Sequence, residues 1–417
     1  MIFLRLALRS LAARWLTVSL TVLAVALSIA LFLGVEKLRT GAKASFADTI
    51  SGTDLIVGAR SGGVQLLLYS VFRIGNATNN VTWESFEDIR DMPGIDWAVP
   101  LSLGDSHRGF RVLGTTTEYF DRYRFRSDRG LSFAAGAAFD DVYDAVLGAD
   151  VARALGYQLG DEIIVSHGIA SFTHHDDKPF RVAGVLEKTG TPVDRTVIVS
   201  LEGIEAIHVD WVGGGQVSGA RITADQARTL DLSPKAITAA MIGVESKLRI
   251  FTLQRAINEY PQEPLLAILP GVALQELWAV VGVAETALLG VSAMVVATAL
   301  IGMAAMIFAG LNERRREMAI LRSVGAGPGL IMSLLITEAA LIAAAGAVVG
   351  MMILYAGLTA LRGWLDATYG VYIPPAGPGA REALTLAAAV GAGVLAGLPP
   401  AARAYFISLS DGMTVKS

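Results

Sequence analysis

Cysteine is absent from all 417 residues. That excludes disulfides, thiol catalysis and cysteine-ligated metal, and it leaves any extracytoplasmic part to be held by its own core. Charge is also scarce, at 17% of residues against 53% hydrophobic, and the mean hydropathy is +0.52. An ordinary soluble protein of this length is less apolar. A phosphate-cradling G-x-x-x-x-G-K-[ST] does not occur, so the chain has no P-loop for ATP. The net charge of −4 comes without a dense basic stretch in the polar region, which argues against nucleic acid as a partner. No Ser/His/Asp set falls in a recognisable catalytic pattern, so the chain does not read as an enzyme.

The apolar excess gathers at residues 15–36, 278–311, 331–361 and 382–402. Each run reaches the roughly 20 residues needed to cross a bilayer core. The first is longer than a signal-peptide core, and Glu36, Lys37 and Arg39 follow it instead of a small-residue cleavage site, so it reads as a retained anchor. Arg5, Arg9 and Arg14 hold the N-terminus inside by the positive-inside rule. Arg314, Arg315 and Arg316 then mark a short inner loop, and Arg403 places the C-terminus inside as well. The expected fold class is a membrane α-helical protein with four transmembrane helices and a large α+β domain between helices 1 and 2. The expected divisions are 1–36, 37–277 and 278–417.

Within 37–277, β-like runs occur at 54–57, 111–113, 145–147, 162–165, 180–183 and 196–199, with helical pieces at 83–91 and 149–155. They suggest an α+β domain of one or two lobes. Residues 222–260 read as helical. The apolar stretch GGVQLLLYSVFRIG at 62–75 reads as a buried core strand, or else as a surface that touches cargo or lipid. A helix continues out of the first run over 36–51, and a second long helix over 274–311, about 57 Å at 1.5 Å per residue, forms a stalk beside it.

The inner loop NERRREMAILRSVGAGPGL, 312–330, is rich in helix formers and is ended by Gly325, Gly327 and Pro328. Met318, Leu321 and Arg322 share one side of such a helix. From the loop alone, a topology anchor and a docking helix are both open. In the third run, Gly346-x-x-x-Gly350 permits close helix approach. Glu338 is expected to reach the interface and pair with an arginine of the loop, and Glu285 to be solvated. Four of the five histidines fall within 167–208. His167, His174, His175 and Asp176 form a weak candidate zinc set beside His208, Asp177 and Asp194, against a plain polar surface loop.

Taken together, the pieces resemble the MacB/FtsX-type ABC transporter permeases, which include the LolC and LolE lipoprotein-release subunits. VLGADVARALGYQLGDEI at 146–163 and FRVAGVLEKTG at 180–190 are similar to the family's periplasmic core domain. ERRREMAILRSVGAGPGLIMSLLITEAALIAAAGAVVGMMI at 313–353 resembles its FtsX-type module. LPPAARAYFISLSDGM resembles the closing segment, with Ser410 where Pro is usual. The resemblance implies a bacterial inner-membrane permease subunit with a periplasmic domain. The coupling helix would span 313–325, with Glu313, Arg314, Arg315, Arg316, Glu317, Arg322 and Gly325 engaging a separate cytoplasmic ABC ATPase that binds ATP and magnesium. A second permease copy, or a related permease, would complete the transporter. The work would be done in the periplasm on a lipoprotein, peptide, lipid or amphipathic cargo. The alternative is an FtsX-like regulator that passes motion to a periplasmic cell-wall hydrolase.

Overall fold

A computed structural model describes residues 2–126, 128–167, 177–212, 215–216, 222–313, 315–369 and 377–406. The chain forms two compact units. One gathers the chain up to Gly41, Gly282–Trp364 and the C-terminal helix, and the other is built on Ala42–Val281.

The first unit is a helical bundle. Four helices, Trp15–Asp48, Pro270–Glu313, Pro328–Tyr369 and Ala380–Phe406, are long and apolar enough to cross a membrane. They are called the first to fourth spans below. A preceding helix, Ile2–Ala13, is separated from the first span by a turn at Arg14. Each span outruns its apolar core because the flanking residues are themselves helix formers. The first two have 34 and 44 residues, about 51 and 66 Å at 1.5 Å per residue, against a hydrocarbon core of about 30 Å.

The second unit is built on an eleven-stranded mixed sheet with helices packed on it, and three two-stranded ribbons accompany it. Its strands are β1 Leu55–Ala59, β2 Ile95–His107, β3 Phe110–Thr115, β4 Phe133–Gly136, β5 Asp144–Leu147, β6 Glu162–Ile163, β7 Ser166–His167, β8 Phe180–Leu186, β9 Thr196–Ser200, β10 Ala239–Val244 and β11 Leu265–Ile268. The order is β11-β1-β10-β2-β3-β9-β5-β8-β4, with β7 paired to β2 and β6 to β8. β9 runs parallel to β3 and antiparallel to β5. It is buried along its whole length, as its β-branched TVIV sequence requires of a strand covered on both faces. Alternation sorts its neighbours: Val112, Leu147, Val197 and Val199 point into one core, Leu113, Val146 and Ile198 into the other.

Two expectations are corrected. Residues 62–75 hold a helix, Gly63–Ser70, not a strand. Leu66, Leu67 and Tyr69 cover Ile56 of β1, and a short apolar run cannot reveal its period in isolation. Residues 222–260 are mostly not helical: they contain β10, which lies between β1 and β2. Its AAMIGV sequence has helix formers, but ladder bonds on both edges outweigh propensity. The longest strand, β2, went unread in the sequence, since Pro100 and Gly104 interrupt its pattern.

The VLGADVARALG stretch owes its form to contacts. β5 ends at Gly148, where an added Cβ would stand 2.2 Å from Val193 O and 2.5 Å from Asp194 O. The helix Ala149–Leu155 follows and is closed by Gly156 at φ 73°. Lys188 holds both Asp150 oxygens at 2.8 Å, while the Asp194 carboxylate accepts from Thr189 N at 2.8 Å and Gly190 N at 2.7 Å. The two family-like stretches therefore interlock. Gly148→Ala pushes a methyl into backbone and should destabilise this unit by about 1–3 kcal/mol. Gly156→Ala, strained only in its backbone, should cost about 1–2 kcal/mol. Thermal unfolding of the detergent-solubilised chain tests the ranking, and equal stability of Gly148→Ala and the parent would contradict it.

Candidate functional site: the charged helix, the bundle contacts and a histidine cluster

The loop between the second and third spans forms a helix, Arg315–Ser323. It ends in a reciprocal cap: Ala326 N donates to Leu321 O and Gly325 N to Arg322 O, both at 3.0 Å, with Gly325 at φ 97°. Pro328 then begins the third span at the position where a missing N–H costs nothing. Met318 is buried with Leu311, Ile331, Leu335, Ala401 and Ala404. Arg322 donates to Tyr405 O at 3.1 Å, so its side chain is turned to the bundle. Ile320 and Val324 stay exposed. Arg314 lies outside the described residues, and Glu313, Arg315, Arg316 and Glu317 lie outside the described side chains.

Close helix contact is set by small residues. An added Cβ at Gly346 would meet Val25 Cγ1 at 2.6 Å, and one at Gly350 would meet Ala26 O at 2.6 Å. Both glycines face the first span within the same chain. A second pair went unnoticed in the sequence: Gly393 and Gly397 of the fourth span would meet Ala343 and Ala339 of the third at 2.4 and 2.5 Å. The G-x-x-x-G at 393–397 was the available signal.

Glu338 is 1% exposed and takes a hydrogen bond from Arg14 Nη2 at 3.1 Å. This partner, at the head of the first span, is one the sequence did not suggest; the expected loop arginines Arg314, Arg315 and Arg316 lie outside the described side chains. Gly310 leaves the room, since a Cβ there would stand 2.4 Å from Arg14 Nη1. Glu285 is also corrected: it is only 13% exposed and lies 3.8 Å from Arg39. Further along, Lys37 bonds both Tyr355, at 3.0 Å, and Glu382. That ties the first, third and fourth spans together.

In the sheet unit, the ends of two spans enter the core. Phe46, at the end of the first span, stacks on Phe72 with centroids 4.5 Å apart and meets Trp278 of the second span at 5.6 Å. Lys43 Nζ sits 5.3 Å above the Trp278 ring. Elsewhere in this unit, His167 meets two residues outside the expected metal set, Asp105 and His208. Antiparallel pairing of β7 with β2 puts His167 directly opposite Asp105. The Asp105 carboxylate beside it raises the His167 imidazole above its ordinary pKa, whereas burial lowers that of His107. His174, His175 and Asp176 lie outside the described residues, as does Ser410.

Two family models match. The MacB-like periplasmic core domain covers residues 18–244, and the FtsX-like permease C-terminal covers residues 289–409. The chain belongs to the MacB/FtsX-type ABC transporter permeases. Two solved structures are similar in part. One is the periplasmic region of MacB from Actinobacillus actinomycetemcomitans, at 14% identity over 55% of this chain and 94% of that one, with a TM-score of 0.34. The other is the extracellular domain of the noncanonic ABC-type transporter YknZ from Gram-positive bacteria, at 14% identity over 52% and 99%, with a TM-score of 0.31. No protein of curated function matches the chain.

As a MacB/FtsX-type permease, the chain is an inner-membrane protein whose sheet unit is its periplasmic domain. Permeases of this family are generally non-catalytic subunits and work with a cytoplasmic ABC ATPase. The FtsX-like match contains the charged helix, the third and fourth spans and the glycines Gly310, Gly346, Gly350, Gly393 and Gly397.

The Arg14–Glu338 pair is the most buried ion pair described in the bundle. Removing one member of such a pair costs more than removing both. Arg14→Ala and Glu338→Gln should each lower the unfolding midpoint, and the double variant should lose less than the sum of the two. Additive losses in detergent would show that the pair contributes no coupling.

Proposed function

We propose that this permease is the transmembrane half of a type VII, mechanotransmitting ABC system. ATP and magnesium bind and react on a partner ATPase. The permease converts that motion into work in the periplasm on a lipoprotein, peptide, lipid or amphipathic cargo. The observation that carries this reading is helix continuity. The first and second spans run unbroken from membrane-crossing segments to Phe46 and Trp278, which pack with the periplasmic sheet's own residues. A continuous helix transmits axial and rotational displacement, because bending it would break backbone hydrogen bonds that lipid cannot replace.

On this reading both termini are cytoplasmic, with Arg5, Arg9, Arg14 and Arg403 on that side. Arg315–Ser323 is then a cytoplasmic helix that docks on the ATPase. Arg314, Arg315, Arg316 and Glu317 supply its charged contacts, and the exposed Ile320 and Val324 supply apolar ones. Arg322 and Gly325 hold the helix to the bundle and end it. Four spans make half of a transporter, so a second copy or a related permease pairs with this chain.

Native purification of the tagged chain in mild detergent, with mass spectrometry of the bound proteins, tests the proposal. An ABC ATPase should be retained. Reversing charge at both Arg315 and Glu317 should reduce its recovery about tenfold or more, because like charges then face each other at the interface. Membrane insertion should be unchanged. Undiminished ATPase recovery would remove the docking role. A bound cell-wall hydrolase in place of cargo would favour the regulatory FtsX-like reading.

A further inference from the structure

We propose that Asp105, His167 and His208 form a binding site for a nitrogen-preferring divalent transition metal, of which zinc is the fitting member. The three residues come from β2, β7 and the end of the helix Leu201–His208, all within the periplasmic unit. Their ligand atoms converge. His167 Nδ1 is 3.2 Å from Asp105 Oδ1 and 3.3 Å from His208 Nε2, and His208 Nε2 is 3.9 Å from Asp105 Oδ1. A tetrahedral zinc with bonds of about 2.0–2.2 Å sets its ligands about 3.3–3.6 Å apart. Two of the three edges match this spacing or fall just short of it, and the third closes with a shift of a few tenths of an ångström.

Protonation states point the same way. His208 Nδ1 lies 2.7 Å from Ile204 O, one turn back on its own helix. A carbonyl only accepts, so Nδ1 carries the hydrogen and Nε2 presents a lone pair to the cluster. This is the arrangement by which a backbone carbonyl orients a metal-binding imidazole. Asp105 is the second, independent sign. Its side chain is 5% exposed, and among the described residues its Oδ1 accepts no well-directed hydrogen bond. A buried carboxylate oxygen without a donor is costly. His167 Nδ1, 3.2 Å from this oxygen, is directed at His208 Nε2 instead. A dication serves all three at once.

The donor set selects the metal. Two imidazoles and one carboxylate suit zinc and its neighbours, whereas calcium and magnesium require oxygen throughout. Asp105 is fixed by β2, which is central in the sheet, and His208 by a helix whose Ala206 and Ile207 are in the core. His167 belongs to a two-residue strand at the sheet margin. Metal would therefore clamp β7 to the rest of the sheet.

Cobalt, whose visible absorption reports coordination, is the probe. The untagged full-length chain in detergent, freed of metal with a chelator, is titrated with cobalt and then competed with zinc. One cobalt per chain with the intense absorption of a four-coordinate site is expected, displaced by zinc. Zinc should also raise the unfolding midpoint. His208→Gln and Asp105→Asn should each weaken binding about tenfold or more, and a His174→Gln/His175→Gln double variant should still bind. Should Asp105→Asn not fold, His167→Gln carries the same test, since that side chain is half exposed. Absence of a cobalt spectrum at micromolar metal, or binding that ignores His208→Gln and follows His174 and His175 instead, would overturn the proposal.

Discussion

The bundle depends on how closely its helices can approach. In a bilayer, lipid is as apolar as leucine, so burying leucine between helices gains little. Stability comes from dispersion contacts at short range and from satisfied polar pairs. Gly346 and Gly350 let the first span lie against the third with backbone oxygen almost in contact, and Gly393 and Gly397 do the same for the fourth. Polar contacts are built on that frame. Arg14 reaches Glu338 across the space that Gly310 leaves free, and Lys37 joins Tyr355 and Glu382. A larger residue at Gly346, Gly350, Gly393 or Gly397 would move a helix, whereas one at Gly310 would displace the Arg14 guanidinium from Glu338.

The periplasmic unit solves the opposite problem. It faces water, has no cysteine to crosslink it, and relies on a sheet buried on both faces. Its strands β1, β5 and β9 are buried along their whole length, and the 188–194 loop is pinned by carboxylates. Asp194 and Asp150 gather the 188–194 loop without a covalent crosslink. Phe46, Phe72 and Trp278 anchor the ends of two spans in the same body. The first and second spans are thus long helices that outrun the bilayer core.

Much of this was legible in residue order. The four apolar runs, the basic residues that flank them and the E-R-R-R-E-M segment are one-dimensional signals, because membrane thickness and lipid polarity act on each helix alone. The interlocking stretches at 146–163 and 180–190 were legible as family likeness, and their physical cause, Gly148 against Val193 O and Lys188 on Asp150, appears only in space. The errors were local. Leu66–Tyr69 are apolar in a run too short to show a period, and β10 is written in residues that also suit a helix.

The sequence by itself determined the number of spans, the family and the place of the charged helix, since hydropathy and motif spacing carry those directly. Tertiary structure alone decided which partners meet. Glu338 finds Arg14, 324 positions away, and Asp105 joins His167 and His208 through strand register and a helix end. Such contacts depend on how strands are ordered and helices are crossed. No local rule encodes that, because each pairing is chosen by the packing of the whole unit.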